Sequence, residues 1–162
     1  MGLFNIFRKK EQRSTSVSID REQYSAATEY YRTGRYEEAL PLFLKLAKQG
    51  HPFSQFVCGV CYYEGKGVEK DEVKAHYWYE KAAEQGDSGG QYNCGLDYRF
   101  GIGVTKDYVK SLKWFLKAAE QGDVESQFWC GAIYQFGDGT DKDLRKAFHW
   151  YEKAAQQGHA NS

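Results

Sequence analysis

The chain is poor in residues that break or cross-link a fold, with two prolines, one methionine and four cysteines in 162 residues. Scarce proline leaves long helices uninterrupted. It also lacks an excess of charge, since Lys plus Arg and Asp plus Glu are 22 each. That balance removes the basic face that nucleic acid requires, so no nucleic-acid partner is expected. No apolar run approaches the roughly 18 residues that cross a bilayer, which predicts a soluble protein. The opening MGLFNIFRKK sets its basic residues after an apolar patch, the reverse of a secretory leader, and a cytoplasmic location is expected. Aromatics, at 17% with thirteen tyrosines, are plentiful and predict a packed fold.

One block recurs: KLAKQG at Lys45, KAAEQG at Lys81 and Lys117, and KAAQQG at Lys153, each 36 residues after the last. A fixed period of this size predicts a solenoid whose units bury their apolar faces only by stacking. Three near-copies align Gln55, Gln91 and Gln127; Cys58, Cys94 and Cys130; Gly59, Gly95 and Gly131; and Trp78, Trp114 and Trp150. Ala75, Trp78, Tyr79, Ala82 and Ala83 form one helical stripe. Asp71, Asp107 and Asp143 are placed to cap the second helix of each pair, and Gly86, Gly122 and Gly158 to end it. Asp87 and Asp123 cap the next first helix, where the first copy has His51 and Pro52.

A shorter unit precedes these copies, with helices expected at about 20–33 and 35–49 and a kink or late start at Pro41. Glycine inside a helix costs roughly 1 kcal/mol, so Gly59, Gly95 and Gly131 predict close approach of the paired helix at Ala75, Ser111 and Ala147. Gly89 and Gly90 predict a weak helix start. The expected organisation is a tail over 1–19, repeats over about 20–50, 51–86, 87–122 and 123–158, and a short tail over 159–162.

The order of Gly59, Tyr62, Gly65, Gly67, Val68, Asp71, Lys74, Ala75, Trp78, Tyr79, Lys81, Ala82, Ala83 and Gly86, found in three near-copies with Thr140 in place of the valine in the last, resembles the Sel-one-like repeat family. The first unit is closer to the related tetratricopeptide repeat. The resemblance implies an all-α, right-handed solenoid of antiparallel helix pairs that acts as an adaptor or scaffold, holding a protein or peptide in its concave groove. It implies no cofactor. By analogy with tetratricopeptide grooves, the ligand-facing positions are Phe56, Tyr63 and Glu64; Tyr92, Arg99 and Phe100; and Phe128, Gln135 and Phe136, with Tyr24, Tyr31 and Arg32 extending the row. Aromatics and arginine most often anchor interfaces. Trp129, opposite Val57 and Asn93 in the other copies, reads equally as an interface residue or a core filler. An immunity or inhibitor protein that occludes a toxin is an alternative within the same architecture. The hydrolase activity claimed for secreted cysteine-rich relatives is disfavoured.

Other chemistry is not supported by spacing. Cys58 and Cys61 form a CxxC without the further ligands that zinc requires, and the repeated cysteine position suits reduced core thiols. The GxG turns at Gly65, Gly101 and Gly137 do not match a phosphate loop and read as connectors. The four histidines occupy unrelated repeat positions, and no base and nucleophile align. The expectation is a protein without catalysis or metal. The tail is expected to be a frayed end or a clip docking on the solenoid, with membrane-surface contact through Leu3, Phe4, Ile6 and Phe7 before a basic run as the less favoured alternative. The helix of Trp150 and Tyr151 is left partly uncovered, which predicts weak self-association through the C-terminal end.

Overall fold

A computed structural model describes residues 21–158, and among them every regular element is a helix. They are α1 (21–32), α2 (Tyr36–Lys48), α3 (Pro52–Glu64), α4 (Glu72–Glu84), α5 (Ser88–Phe100), α6 (Tyr108–Glu120), α7 (Val124–Phe136) and α8 (Leu144–Gln156). Helices pack chiefly on the ones before and after them, giving a solenoid of four helix pairs. The two readings of the tail over 1–19, docking segment or membrane contact, and the tail over 159–162 lie outside the described residues.

Capping follows the repeat. Asp71, Asp107 and Asp143 accept the backbone N–H of Lys74, Lys110 and Lys146 at 2.9, 3.0 and 3.0 Å. Asp87 and Asp123 accept from Gly90 and Ser126 at 2.7 Å, and His51 Nδ1 accepts from Ser54 at 3.2 Å. These bonds satisfy donors that a helix start leaves unpaired. Pro41 does not delay α2, which starts at Tyr36 and runs through the exposed proline.

The interior glycines mark close approach of the paired helix, and the side chains nearest a Cβ there are rings one turn beyond the expected positions. A Cβ at Gly95 would lie 2.6 Å from the Phe115 ring, and Gly59 and Gly131 meet Tyr79 and Tyr151 in the same way. Helical side chains lean toward the N-terminus, so the ring that covers the glycine comes from one turn beyond Ser111. Ser111 itself touches Gly95, donating its hydroxyl to the Gly95 carbonyl at 2.8 Å. Gly90 also has a packing role: its Cβ would come within 2.8 Å of the Ala83 nitrogen and 2.9 Å of the Tyr79 carbonyl oxygen. The matching Ser54 and Ser126 are completely buried. A small residue here lets each first helix seat against the end of the preceding one.

Glutamine ties the pairs together. Gln55, Gln91 and Gln127 donate Nε2 to the carbonyls of Ala47, Ala83 and Ala119 in the preceding pair, at 3.0, 3.3 and 3.1 Å. Their Oε1 atoms accept from Gln85, Gln121 and Gln157 at 2.7, 2.8 and 2.8 Å. One buried amide thus bridges a helix end behind it and one ahead. Gln91→Leu leaves the Ala83 carbonyl and the Gln121 amide without this partner and is expected to cost about 1–3 kcal/mol. Urea midpoints would show it, whereas a change under a few tenths would mean solvent replaces the bridge.

Cys58, Cys94 and Cys130, as their shared repeat position suggested, and Cys61 beside them are free and fully buried. Burial pushes their thiols up, Cys61 to about 11. The seam between the second and third pairs is polar at its centre. His76 Nδ1 lies 2.9 Å from Asp97 Oδ2 with both side chains buried. The corresponding residues are Leu112 and Phe148 for His76, and Cys61 and Ile133 for Asp97. His76 is therefore not a stray residue, as its repeat position implied, but half of a pair across the seam.

Candidate functional site

The first helix of each pair ends at a glycine in the left-handed conformation, Gly65, Gly101 or Gly137. Of the two residues before it in α5 and α7, the first is partly buried and the second stands exposed at the helix end. In α5 these are Arg99 and Phe100, and in α7 Gln135 and Phe136. Phe100 is 52% exposed and Phe136 69%, two large rings at one register in adjacent pairs. Isolated surface apolar residues are common, but a repeated register suggests a surface.

Arg99 lies beside this row and is held in place. Its Nη2 pairs with Asp138 at 2.8 Å, just beyond α7. Its Cζ lies 5.0, 5.7 and 5.9 Å from the ring centres of Trp129, Tyr108 and Phe100. Nη1 is buried without a hydrogen-bond partner, so the rings supply much of its environment. A guanidinium fixed this way loses little freedom when a ligand arrives. Trp129 packs on the core: it stacks on Phe115 at 5.7 Å with an 11° interplanar angle and also meets Phe100 edge-on at 5.9 Å.

The remaining predicted positions fall into two groups. Phe56, Tyr92 and Phe128 are half-buried and lie on Tyr79, Phe115 and Tyr151, the rings that cover the helix glycines. Tyr24 is likewise half-buried, against His51 and Phe53. Gln135 joins Phe128 at Tyr151 by accepting its hydroxyl at 2.8 Å. The second group carries intramolecular charge pairs. Arg32 is paired with Glu29 at 2.8 Å, Glu64 with Lys66, and Tyr63 lies under Lys70 at 5.3 Å. Tyr31 packs on Tyr36 and Phe43, with Lys66 over its ring. The structure brings Arg99 and Phe100 together with Trp129, Tyr108 and Asp138. Tyr108 and Asp138 were not singled out in the sequence because Asp138 lies within a connector and Tyr108 follows one, and their position depends on how those connectors fold.

The connectors are more than linkers. The second glycine of each GxG sits on the start of the preceding pair's second helix: Gly67 on Tyr36, Gly103 on Glu72 and Gly139 on Tyr108. Each therefore clamps one pair to the next. Among the described residues, no group of three or more His, Cys, Asp or Glu is placed to hold a metal ion. No described helix is long and apolar enough to cross a membrane.

The Sel1 repeat family model matches residues 52–87, 88–123 and 124–159. A Sel1 repeat protein from Oxalobacter formigenes superposes with a TM-score of 0.78 at 38% identity, covering 82% of this chain and 55% of that one. A protective antigen of uropathogenic Escherichia coli with an SLR fold superposes at 0.83 and 36% identity, covering 91% and 32%. This chain thus spans about half the length of the first and a third of the second. Cysteine rich protein B of Helicobacter pylori, at 21% identity and a TM-score of 0.62, shares the fold.

Proposed function

Since the chain belongs to the Sel1 repeat family, whose repeats generally serve as protein-interaction scaffolds, we propose that it is a non-catalytic adaptor docking a protein or peptide along the ends of its first helices. The observation that carries this reading is the pair of exposed rings at one register, Phe100 and Phe136, beside an arginine already locked in place. In this reading the concave wall uses Phe100, Phe136 and Tyr63 as contact rings. Arg99 and Trp129 form the rigid floor, while Phe56, Tyr92 and Phe128 back the wall from inside. Hot spots are typically large rings in a rigid surround, which is the setting Arg99 and Trp129 supply. The four buried, unbridged thiols support a reducing compartment such as the cytoplasm.

The test uses Phe100→Ala combined with Phe136→Ala, because truncating exposed rings leaves the core intact. Quantitative affinity capture is expected to recover partners about tenfold less well than the parent, with the thermal midpoint nearly unchanged. Equal recovery of every partner by parent and variant would refute the assignment.

A further inference from the structure

The second helix of each internal pair buries one face under the next pair. In α4 that face holds His76, Tyr79 and Ala83, 7%, 2% and 1% exposed, and in α6 Leu112, Phe115 and Ala119, 8%, 0% and 2%. The same register in α8 is Phe148, Tyr151 and Ala155. Here Phe148 is 68% exposed, Leu144 one turn away is 62% exposed, and Ala155 is also open. Leu144, Arg145, Phe148, Tyr151, Glu152 and Ala155 form a continuous stripe at helical spacing. It continues the surface by which α4 and α6 bind their neighbours.

The opposite end of the described solenoid is built differently. Where α5 and α7 meet the preceding pair they carry Gly90 and Asp97, or Ser126 and Ile133. At those positions α1 has Glu22 and Glu29, both exposed, with Glu29 paired to Arg32. Seating α1 on the α8 stripe would bury the Glu22 carboxylate and take the Glu29–Arg32 pair out of water, which disfavours head-to-tail stacking. The α8 stripe is complementary to itself. Arg145 and Glu152 lie seven residues apart about Phe148, so an antiparallel α8 across a two-fold axis sets each Arg145 opposite the other copy's Glu152. Ala155 leaves room for the facing aromatic rings.

We propose that two copies of this chain associate through their α8 faces in a closed, two-fold dimer centred on Phe148. The face is distinct from the Phe100 and Phe136 row, so the dimer does not depend on the adaptor reading. A self-complementary surface closes at two copies, whereas a head-to-tail contact would propagate.

Sedimentation velocity on the full chain, from micromolar to millimolar, tests this. The mass is expected to rise from monomer to dimer and stop there. Phe148→Glu, at an exposed position, should weaken association at least about tenfold while the circular dichroism and thermal midpoint stay near the parent's. Arg145→Glu alone should weaken the dimer, and adding Glu152→Arg should restore it, because the reversed charges again face each other. A monomer at every concentration, growth past the dimer, an unaffected Phe148→Glu variant, or a charge-swapped double variant that stays weak would each overturn the proposal.

Discussion

His76→Leu is expected to destabilise the protein by about 3–5 kcal/mol at neutral pH, a large share of a domain's usual margin, because it strands the Asp97 carboxylate in the seam. Burial already holds the Asp97 carboxyl above the usual range, while the His76 hydrogen bond pulls it back down. Leucine removes that restoring partner, so the carboxyl rises further. A carboxyl raised in the folded state contributes stability that is fully present below its unfolded value, about 3.9, and lost as pH climbs through the folded value. The deficit of His76→Leu relative to the parent should therefore be small near pH 4 and widen toward neutrality. Urea midpoints across that range would show it. A deficit constant with pH would mean that shape, not the stranded charge, sets the cost. His76→Leu combined with Asp97→Ile copies the Leu112 and Ile133 seam of the next pair. It should recover the parent's stability or exceed it by about 1–4 kcal/mol, because a paired charge in a buried site gains little over good apolar packing.

Gly103→Ala should be nearly as damaging, at about 3 kcal/mol or more. Gly103 has φ +64°, where a side chain costs about 1–2 kcal/mol, and its Cβ would fall on the Glu72 carbonyl, adding about 1–3 kcal/mol of overpacking. The neighbouring Gly101 provides the control. It has φ +74°, but its Cβ would find no atom nearer than 3.5 Å, so Gly101→Ala should cost only the backbone strain. Parallel urea melts of the two variants separate conformation from contact. Equal losses would show that Gly103 does not clamp the second pair to the third. Because the seam joins otherwise similar units, unfolding of Gly103→Ala should also lose cooperativity and spread over a wider denaturant range.

Much of this was readable along the chain, for local reasons. A carboxylate three residues before a backbone N–H caps a helix wherever it stands, so Asp71, Asp107 and Asp143 declared three helix starts. The second helix of the polar seam was also readable in part. His76 and Asp97 each replace an apolar residue of the other copies, and both changes fall at the same junction. Reading the histidines one by one hid this, because a pair across a seam shows only when two departures are compared. The Arg99 surroundings were not readable. Its partner Asp138 lies within a connector and Tyr108 just after one, and the path of those connectors is set by where Gly103 and Gly139 touch the preceding pair.

The order of residues alone determined the helices, their ends, the period and the family, because capping and apolar spacing act within a few residues of one another. Tertiary structure decided which large side chains remain exposed and which charges are held. Phe56 and Phe100 are both phenylalanines in the first helix of a pair, yet one rests on Tyr79 and the other stands clear at the helix end. That difference arises from packing between neighbouring helices, and packing depends on distances in space that the spacing of residues along the chain does not specify.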